Sequence, residues 1–309
     1  MITKKAINFM GDPHRRVLMF ISLILTLASF ASLAINGLKF GLDFTGGTSL
    51  ELRYAQAPDL KQVRETLVTS GYPSAVVVNF GGPNDILVRV QSGQANNDLG
   101  NVITDVLRKA SGSEITIKQS EYVGPHVGEE LMNSGGLGML VALLGVFLYV
   151  AMRFQFKFAL GSILALMHDV VLILGVFSFF QLDFDLTVLA AVLTIIGFSI
   201  NESIIVADRV RENLRIMRGV DVKEVINTSI TQTLSRTIMT SGSVNMSVLA
   251  MFFWGGDAFH HFSLALLFGV TFGNYSSVYI ASGLLVTLKV TREDLIPSEV
   301  AQEEVDEMP

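Results

Sequence analysis

The amino-acid sequence predicts a polytopic α-helical membrane protein of six transmembrane helices, with a small α+β, ferredoxin-like domain inserted between helices 1 and 2. Three observations carry that expectation. Only 16% of the 309 residues are charged, against about 25% in an ordinary soluble chain, and the mean hydropathy is +0.51. The apolar residues are gathered into blocks long enough to cross a hydrocarbon core, which takes about 20 helical residues. Lysine and arginine fall on alternate connections between those blocks, as membrane insertion favours. The formal charge of −6 averages an insert, loops and an acidic tail, and says little by itself. The chain has no cysteine, which excludes a disulfide and a thiolate nucleophile.

Residues 1–16 form a basic N-terminal segment with Lys4, Lys5, Arg15 and Arg16. The first span follows at 17–36. Its apolar run exceeds that of a signal peptide, and Asn36-Gly37-Leu38-Lys39 is a poor cleavage context, so it reads as a retained anchor. The second span, 131–152, is uncharged. The third, 158–182, contains His168 and Asp169, and the fourth, 186–207, contains Glu202. Residues 208–235 read as a cytoplasmic connection and the start of helix 5, which then spans at 236–256. The sixth span is 262–288, and 289–309 is a tail, acidic from Glu303 to Asp306. Arg153, Lys157, Arg209, Arg211, Arg215, Arg218, Lys223, Lys289 and Arg292 all fall on the side of the N-terminus, whereas residues 181–185 and 257–261 hold no lysine or arginine. Both termini are therefore expected in the cytoplasm and the insert, 37–130, on the outer side.

Within the insert, 48–54 reads as a strand with Leu50, Leu52 and Tyr54 on one face. Residues 58–70 read as a helix with a stripe of Leu60, Val63, Leu67 and Val68. Two β-branched runs, 75–80 and 86–90, flank a hairpin signal at Gly81-Gly82-Pro83-Asn84. A second helix at 96–109 and a strand at 114–122 complete a β-α-β-β-α-β order. The insert has no metal-ligand cluster and no nucleotide loop. Asp43-Phe44-Thr45-Gly46-Gly47 sits where the first span gives way to it, and Asp43, Gly46 and Gly47 read as a junction turn.

An ionisable residue inside a span is costly and points to function. His168 and Asp169 read as a proton-relay or helix-pairing element. Glu202 lies in Gly197-Phe198-Ser199-Ile200-Asn201-Glu202-Ser203, and Arg236, partly immersed, is its expected charge partner; snorkelling of Arg236 to the interface is the other reading. Gln232 and Asn201 are secondary polar candidates. Helix 5 is dense in Ser, Thr, Asn and Gln, which glue helices together or line a hydrated path. Gly269 and Gly273, four apart on helix 6, suit close packing. His260 and His261 lack the neighbouring carboxylate or cysteine spacing of a zinc site.

The stretches Gly41-Leu42-Asp43-Phe44-Thr45-Gly46-Gly47, Val123-Gly124-Pro125, His168-Asp169, residues 197–206, residues 208–213, Gln232-Thr233-Leu234-Ser235-Arg236-Thr237 and Tyr275-Ser276-Ser277 occur in order over almost the whole chain. Together they resemble the bacterial SecF family of the SecD/SecF protein-export proteins. The resemblance implies a fold like that of resistance-nodulation-division transporters and a bacterial inner-membrane location. It implies a six-helix partner, SecD, association with the SecYEG translocon in SecA-dependent export and with YajC, and an unfolded preprotein as substrate. It also implies use of the proton motive force late in translocation, with the insert as a periplasmic domain. No cofactor, nucleic acid or catalytic residue is implied. The family's acid in helix 4 is usually the aspartate of an Asn-Asp pair, where this chain has Asn201-Glu202; Arg236 matches the family's membrane arginine. Three other readings are an autonomous proton-coupled transporter, a non-energised assembly protein and an intramembrane enzyme, for which Asp169 and Glu202 have no recognisable partner arrangement.

Overall fold

The computed structural model describes residues 6–90, 98–256 and 259–295. The expectations placed on Lys4, Lys5, Asn96, Asp257 and the acidic tail lie outside them.

Helix α1 (Asp12–Asn36) opens with a proline in its first turn, where the fixed φ suits a helix start. A two-residue strand β1 (Lys39–Phe40) and a single turn α2 (Leu42–Thr45) lead into the insert. There β2 (Gly47–Tyr54), α3 (Leu60–Thr69), β3 (Val76–Phe80), β4 (Gly82–Val90), α4 (Leu99–Ser111) and β5 (Ile115–Val123) follow in the β-α-β-β-α-β order. The strands stand β3-β4-β2-β5, every neighbouring pair antiparallel. Period-2 alternation buries Thr48, Leu50, Leu52 and Tyr54 under α3 and α4, where they meet Val63, Leu67, Ile103 and Leu107.

Two details of the insert differ from the sequence expectation. The hairpin turn is shorter than Gly81-Gly82-Pro83-Asn84: Gly81, at φ 72°, reverses the chain almost alone, and Phe80 already faces Gly82. Pro83 then falls in the irregularity between the Asn79–Ile86 and Phe80–Gly82 pairs, where no ladder bond is required of it. Val68 points outward, because Val63 and Leu67, four apart, already define the stripe facing the sheet.

The bundle continues with α5 (Pro125–Arg153), α6 (Phe156–Phe179), strand β6 (Asp183–Phe184), α7 (Leu186–Ile216), α8 (Val222–Trp254) and α9 (His260–Ser276). A π-helical turn, Ser277–Ala281, joins α9 to α10 (Ser282–Thr287). Among the described residues five helices are long and apolar enough to cross a membrane. Helix α8, with 33 residues, is long enough, but its hydroxyl and amide side chains lower its hydropathy. Helices α7 and α8 run well beyond the apolar stretches at 186–207 and 236–256, and the expected helix at 262–288 is interrupted by the π turn.

Helix directions follow from paired contacts. Ser22 meets His168 and Ser32 meets Ser178, so α1 and α6 run parallel at constant register. Between these contacts a Cβ on Gly175 would lie 2.1 Å from the Ser29 hydroxyl, so glycine alone permits the approach. Similarly, Gly269 lies against Ile195, Gly273 against Ser199, and Ser277 against Ser203, so α7 and α9 are parallel. Helix α8 is antiparallel to α7: Asn213 meets Ser229, and Glu202 meets Thr237. Parallel pairing of Lys39 with Asp183 and Phe40 with Phe184 extends the α1–α6 register into a two-stranded ribbon at the bundle end.

Candidate functional site

The junction is built first. Phe44 is buried in the bundle core, stacked on Phe184 with ring centroids 6.2 Å apart. Asp43 Oδ2 accepts the Leu186 N–H at 3.0 Å, while Asp185 accepts from Val188 N–H at 2.8 Å, so two carboxylates cap the start of α7. Gly46 has φ 68°, and a Cβ there would lie 2.9 Å from Pro125 Cα. Gly47, at φ 130°, begins β2. Asp43, Gly46 and Gly47 thus fasten the inserted domain to the starts of α5 and α7. They do not meet the polar groups inside the bundle.

A cleft of about 470 Å³ separates the open face of the sheet from this end of the bundle, lined in part by Glu51, Arg89, Glu121, Asp183, His260 and His261. Glu51, Arg89 and Asp183 are already paired within the chain. Lys118 binds Glu51 at 2.9 Å, Lys39 binds Asp183 at 2.9 Å, and Arg89 reaches across from β4 to the same Asp183. Burial raises the Asp183 pKa, but Lys39 and Arg89 outweigh it and hold the carboxyl below its ordinary value. Among the described residues no group of three His, Cys, Asp or Glu side chains is placed to hold a metal.

Inside the bundle the structure separates the candidates into two clusters. Asp169 is 0% exposed in the middle of α6. Its Oδ2 accepts the hydroxyls of Ser199 on α7 and Ser276 on α9, each at 2.6 Å. Its Oδ1 lies 3.1 Å from His168 Nδ1, and His168 Nε2 lies 2.5 Å from Ser22 Oγ on α1. Four helices therefore meet at one carboxylate. The order Ser22–His168–Asp169 is that of a hydrolytic triad, but Ser22 is buried between α1 and α6, 4% exposed, and does not line the cleft beside the sheet.

Glu202 is 3% exposed, three residues along α7 from Ser199, or about 4.5 Å along the helix axis. Thr237 of α8 donates its hydroxyl to Glu202 Oε1. The expected Glu202–Arg236 pair is not formed. Consecutive helical positions point about 100° apart, so with Thr237 turned onto α7 its neighbour Arg236 faces outward, with no ion pair to a carboxylate among the described residues. Asn201 is also exposed. Gln232 sits further toward the end of the helix pair, accepting from Arg209 Nε at 2.6 Å and Asn213 Nδ2 at 2.9 Å.

Sequence reasoning missed Ser22, Thr237 and Tyr275 as members of these clusters. Ser22 lies in an uncharged span and carries no local signal. Thr237 was overshadowed by the charge beside it. Tyr275 could have been found from its place next to Ser276.

Comparison with known proteins places these groups in context. Residues 102–291 match the family "Protein export membrane protein SecD/SecF, C-terminal", and residues 31–58 match the "SecD/SecF GG Motif". The chain is 51% identical over 304 residues to protein translocase subunit SecF of Pseudomonas aeruginosa, covering 98% of each. It is 42% identical over 310 residues to the SecF of Vibrio alginolyticus, covering 99% of this chain and 98% of that one. Its fold is similar to the crystal structure of SecDF, a translocon-associated membrane protein, from Thermus thermophilus, with TM-score 0.83 and 37% identity over 94% of this chain. The chain spans 39% of the length of that structure.

Proposed function

The chain belongs to the SecF branch of the SecD/SecF protein-export family, and from that premise we propose that it couples proton movement through Asp169 and Glu202 to motion of its inserted domain. As a member of that family it is a multi-pass inner-membrane subunit that aids preprotein export.

One observation carries the coupling reading. Two carboxylates are buried at membrane depth on adjacent helices, each held by hydroxyls rather than by a fixed cation. A structural ion pair would neutralise the charge permanently, whereas a hydroxyl accepts either protonation state of its partner. Proton binding at Glu202 would discharge it, and release would restore a charge that Arg236 can approach. Alternation of that kind would rock α7 against α8. Asp43, Gly46 and Phe44 tie the start of α7 to the inserted domain, which gives the rocking a mechanical outlet.

Six membrane crossings, with both termini on one side and the insert on the other, are supported by the helix directions, and the lysine and arginine bias assigns the side of the termini to the cytoplasm. Parallel α1 and α6 require α5 as a return crossing, and parallel α7 and α9 require α8. Asn201 and Arg236 are exposed on the flank of α7 and α8 at membrane depth. Lipid is an unfavourable neighbour for both, which supports a second membrane subunit, SecD, as their cover. Contacts with SecYEG and YajC, in export driven by SecA on unfolded preproteins, belong to the same proposal.

The test is reconstitution with a SecD partner in vesicles carrying a controlled proton gradient, following late preprotein translocation. Glu202→Gln should lose the gradient-dependent component. Equal gradient dependence in the native and Glu202→Gln proteins would sink the role given to Glu202.

A further inference from the structure

Asp169 and Ser276 are joined across α6 and α9 by a 2.6 Å hydrogen bond. The residue before each, His168 and Tyr275, turns instead onto α1. His168 Nε2 lies 2.5 Å from Ser22 Oγ, and the Tyr275 hydroxyl donates to Leu18 O at 2.6 Å. Leu18 and Ser22 are four residues apart, about one turn of α1. The two rings lie side by side, centroids 6.4 Å apart. One polar crosspiece, rooted at Asp169, therefore grips a single turn of α1 at two points.

That grip matters because little else covers α1: only 17% of its apolar window is buried within the chain. It is also a continuous 25-residue helix whose far end leads into β1 and the junction. About 20 Å of unbroken helix separates Ser22 from Asn36. That stretch, which lies along α6 at Ser29 and Ser32, is the mechanical route from Ser22 to the junction.

We propose that Ser22 and Tyr275 are positioning residues that pass the protonation state of Asp169 to α1; the proposal rests on the reading of Asp169 as a proton-handling group. With Asp169 ionised, His168 donates from Nδ1 to Oδ1, and Nε2 accepts from the Ser22 hydroxyl. One added proton enters at Nε2 while the Nδ1 proton passes to Oδ1. The result is a neutral carboxylic acid and a neutral imidazole of the other tautomer. Nε2 now donates, so the Ser22 hydroxyl must turn from donor to acceptor. The incoming proton is the one supplied by the gradient. Among the described residues the polar groups that contact the pair from α1, α7 and α9 are Ser22, Ser199, Ser276 and Tyr275, of which Tyr275 alone titrates. Among the described residues no other charged side chain is hydrogen-bonded or ion-paired to the pair.

The experiment uses the full chain with its SecD partner in vesicles, and reads the ratio of late preprotein translocation with a proton gradient to that without. Ser22→Ala and Tyr275→Phe each remove one hydroxyl and keep the packing; each should lower the ratio, and the double variant should lower it about tenfold, the scale of one strong buried hydrogen bond. Ser22→Thr, which keeps a hydroxyl, should restore it. An unchanged ratio in the double variant, with Asp169→Asn losing gradient dependence, overturns the transmission role and leaves Asp169 standing. An unchanged ratio in Asp169→Asn overturns the reading beneath it. A fall in both translocation rates at constant ratio, or failure of Ser22→Thr to restore the ratio, also overturns the proposal, since mere structural support would behave that way. Should the double variant fail to accumulate, Tyr275→Phe alone decides on the same terms.

Discussion

Asp169 and Glu202 are both buried carboxylates at neighbouring depths, yet their surroundings differ. Asp169 is closed in by hydroxyls from two helices and an imidazole from its own, and through that imidazole by a third helix. Glu202 has one hydroxyl partner and lies beside an outward-facing flank that carries Asn201 and Arg236. The first environment ties several helices together through fixed donors. The second offers its carboxylate a single one. On the proposed coupling, that difference in the number of fixed donors assigns transmission to Asp169 and switching to Glu202.

The largest expected effect that could break this comparison comes from Asp169. Asp169→Leu leaves Ser199, Ser276 and His168 without their acceptor, and should lower stability by about 3 kcal/mol, the scale of breaking a buried polar network; thermal unfolding in detergent measures it. A loss no greater than that of a surface substitution would show that the network is not holding the helices. Next comes the packing beneath both sites. A Cβ on Gly269 would lie 2.2 Å from Ile195 Cδ1, so Gly269→Ala should cost about 1–3 kcal/mol by overpacking and should impair Asp169 and Glu202 function together. A selective effect on one would show that they do not share the α7–α9 seam.

Glu202→Gln sharpens the contrast. It keeps an acceptor for Thr237, so the same unfolding assay should register less than about 1 kcal/mol, while gradient-driven export is lost. The seam between α1 and α6 allows a structural check with no native thiol to interfere, because the sequence contains no cysteine. The hydroxyls of Ser32 and Ser178 are 2.9 Å apart; Ser32→Cys with Ser178→Cys should form a disulfide on mild oxidation, seen as a mobility shift that reductant reverses. Absence of that cross-link would argue against the parallel register.

The smallest effect is expected at the ion pair between Arg89 and Asp183, which links the sheet to the bundle end. Because the folded Asp183 pKa lies below its ordinary 3.8, the pair contributes stability that is present above about pH 4 and is lost as pH falls through the depressed value. Asp183→Asn should therefore change domain docking at neutral pH and make no difference once both proteins are acidified well below pH 4. Proteolysis of the inserted domain as a function of pH reads this directly.

The alternation of Leu50, Leu52 and Tyr54 and the 3.6-residue spacing of Val63 and Leu67 were enough to foresee the strands, the helices and their order along the chain. Period and turn chemistry are local, and local rules decide them. Val68 and the short turn at Gly81 escaped because each depends on how much of a face its neighbours have already filled. The membrane blocks were equally legible from hydropathy, except at α8, whose polar side chains obscure a helix that its packing against α7 and α9 reveals. His168, Asp169 and Glu202 were legible as candidates because a charge in an apolar block is conspicuous in one dimension.

Their partners were not, for a physical reason. Which side of a helix a residue faces is set by packing, and one step along the chain turns a side chain through about 100°. That step decides that Thr237 rather than Arg236 meets Glu202, and that His168 and Tyr275 reach α1 while Asp169 and Ser276 meet each other. Local hydrophobicity was enough to mark the apolar blocks, the insert between the first two and the charges lying within them. Which residues share a hydrogen bond is settled by packing across the chain, because Ser22 and His168 are 146 positions apart and meet on a helix seam to which Gly175 gives close approach at Ser29.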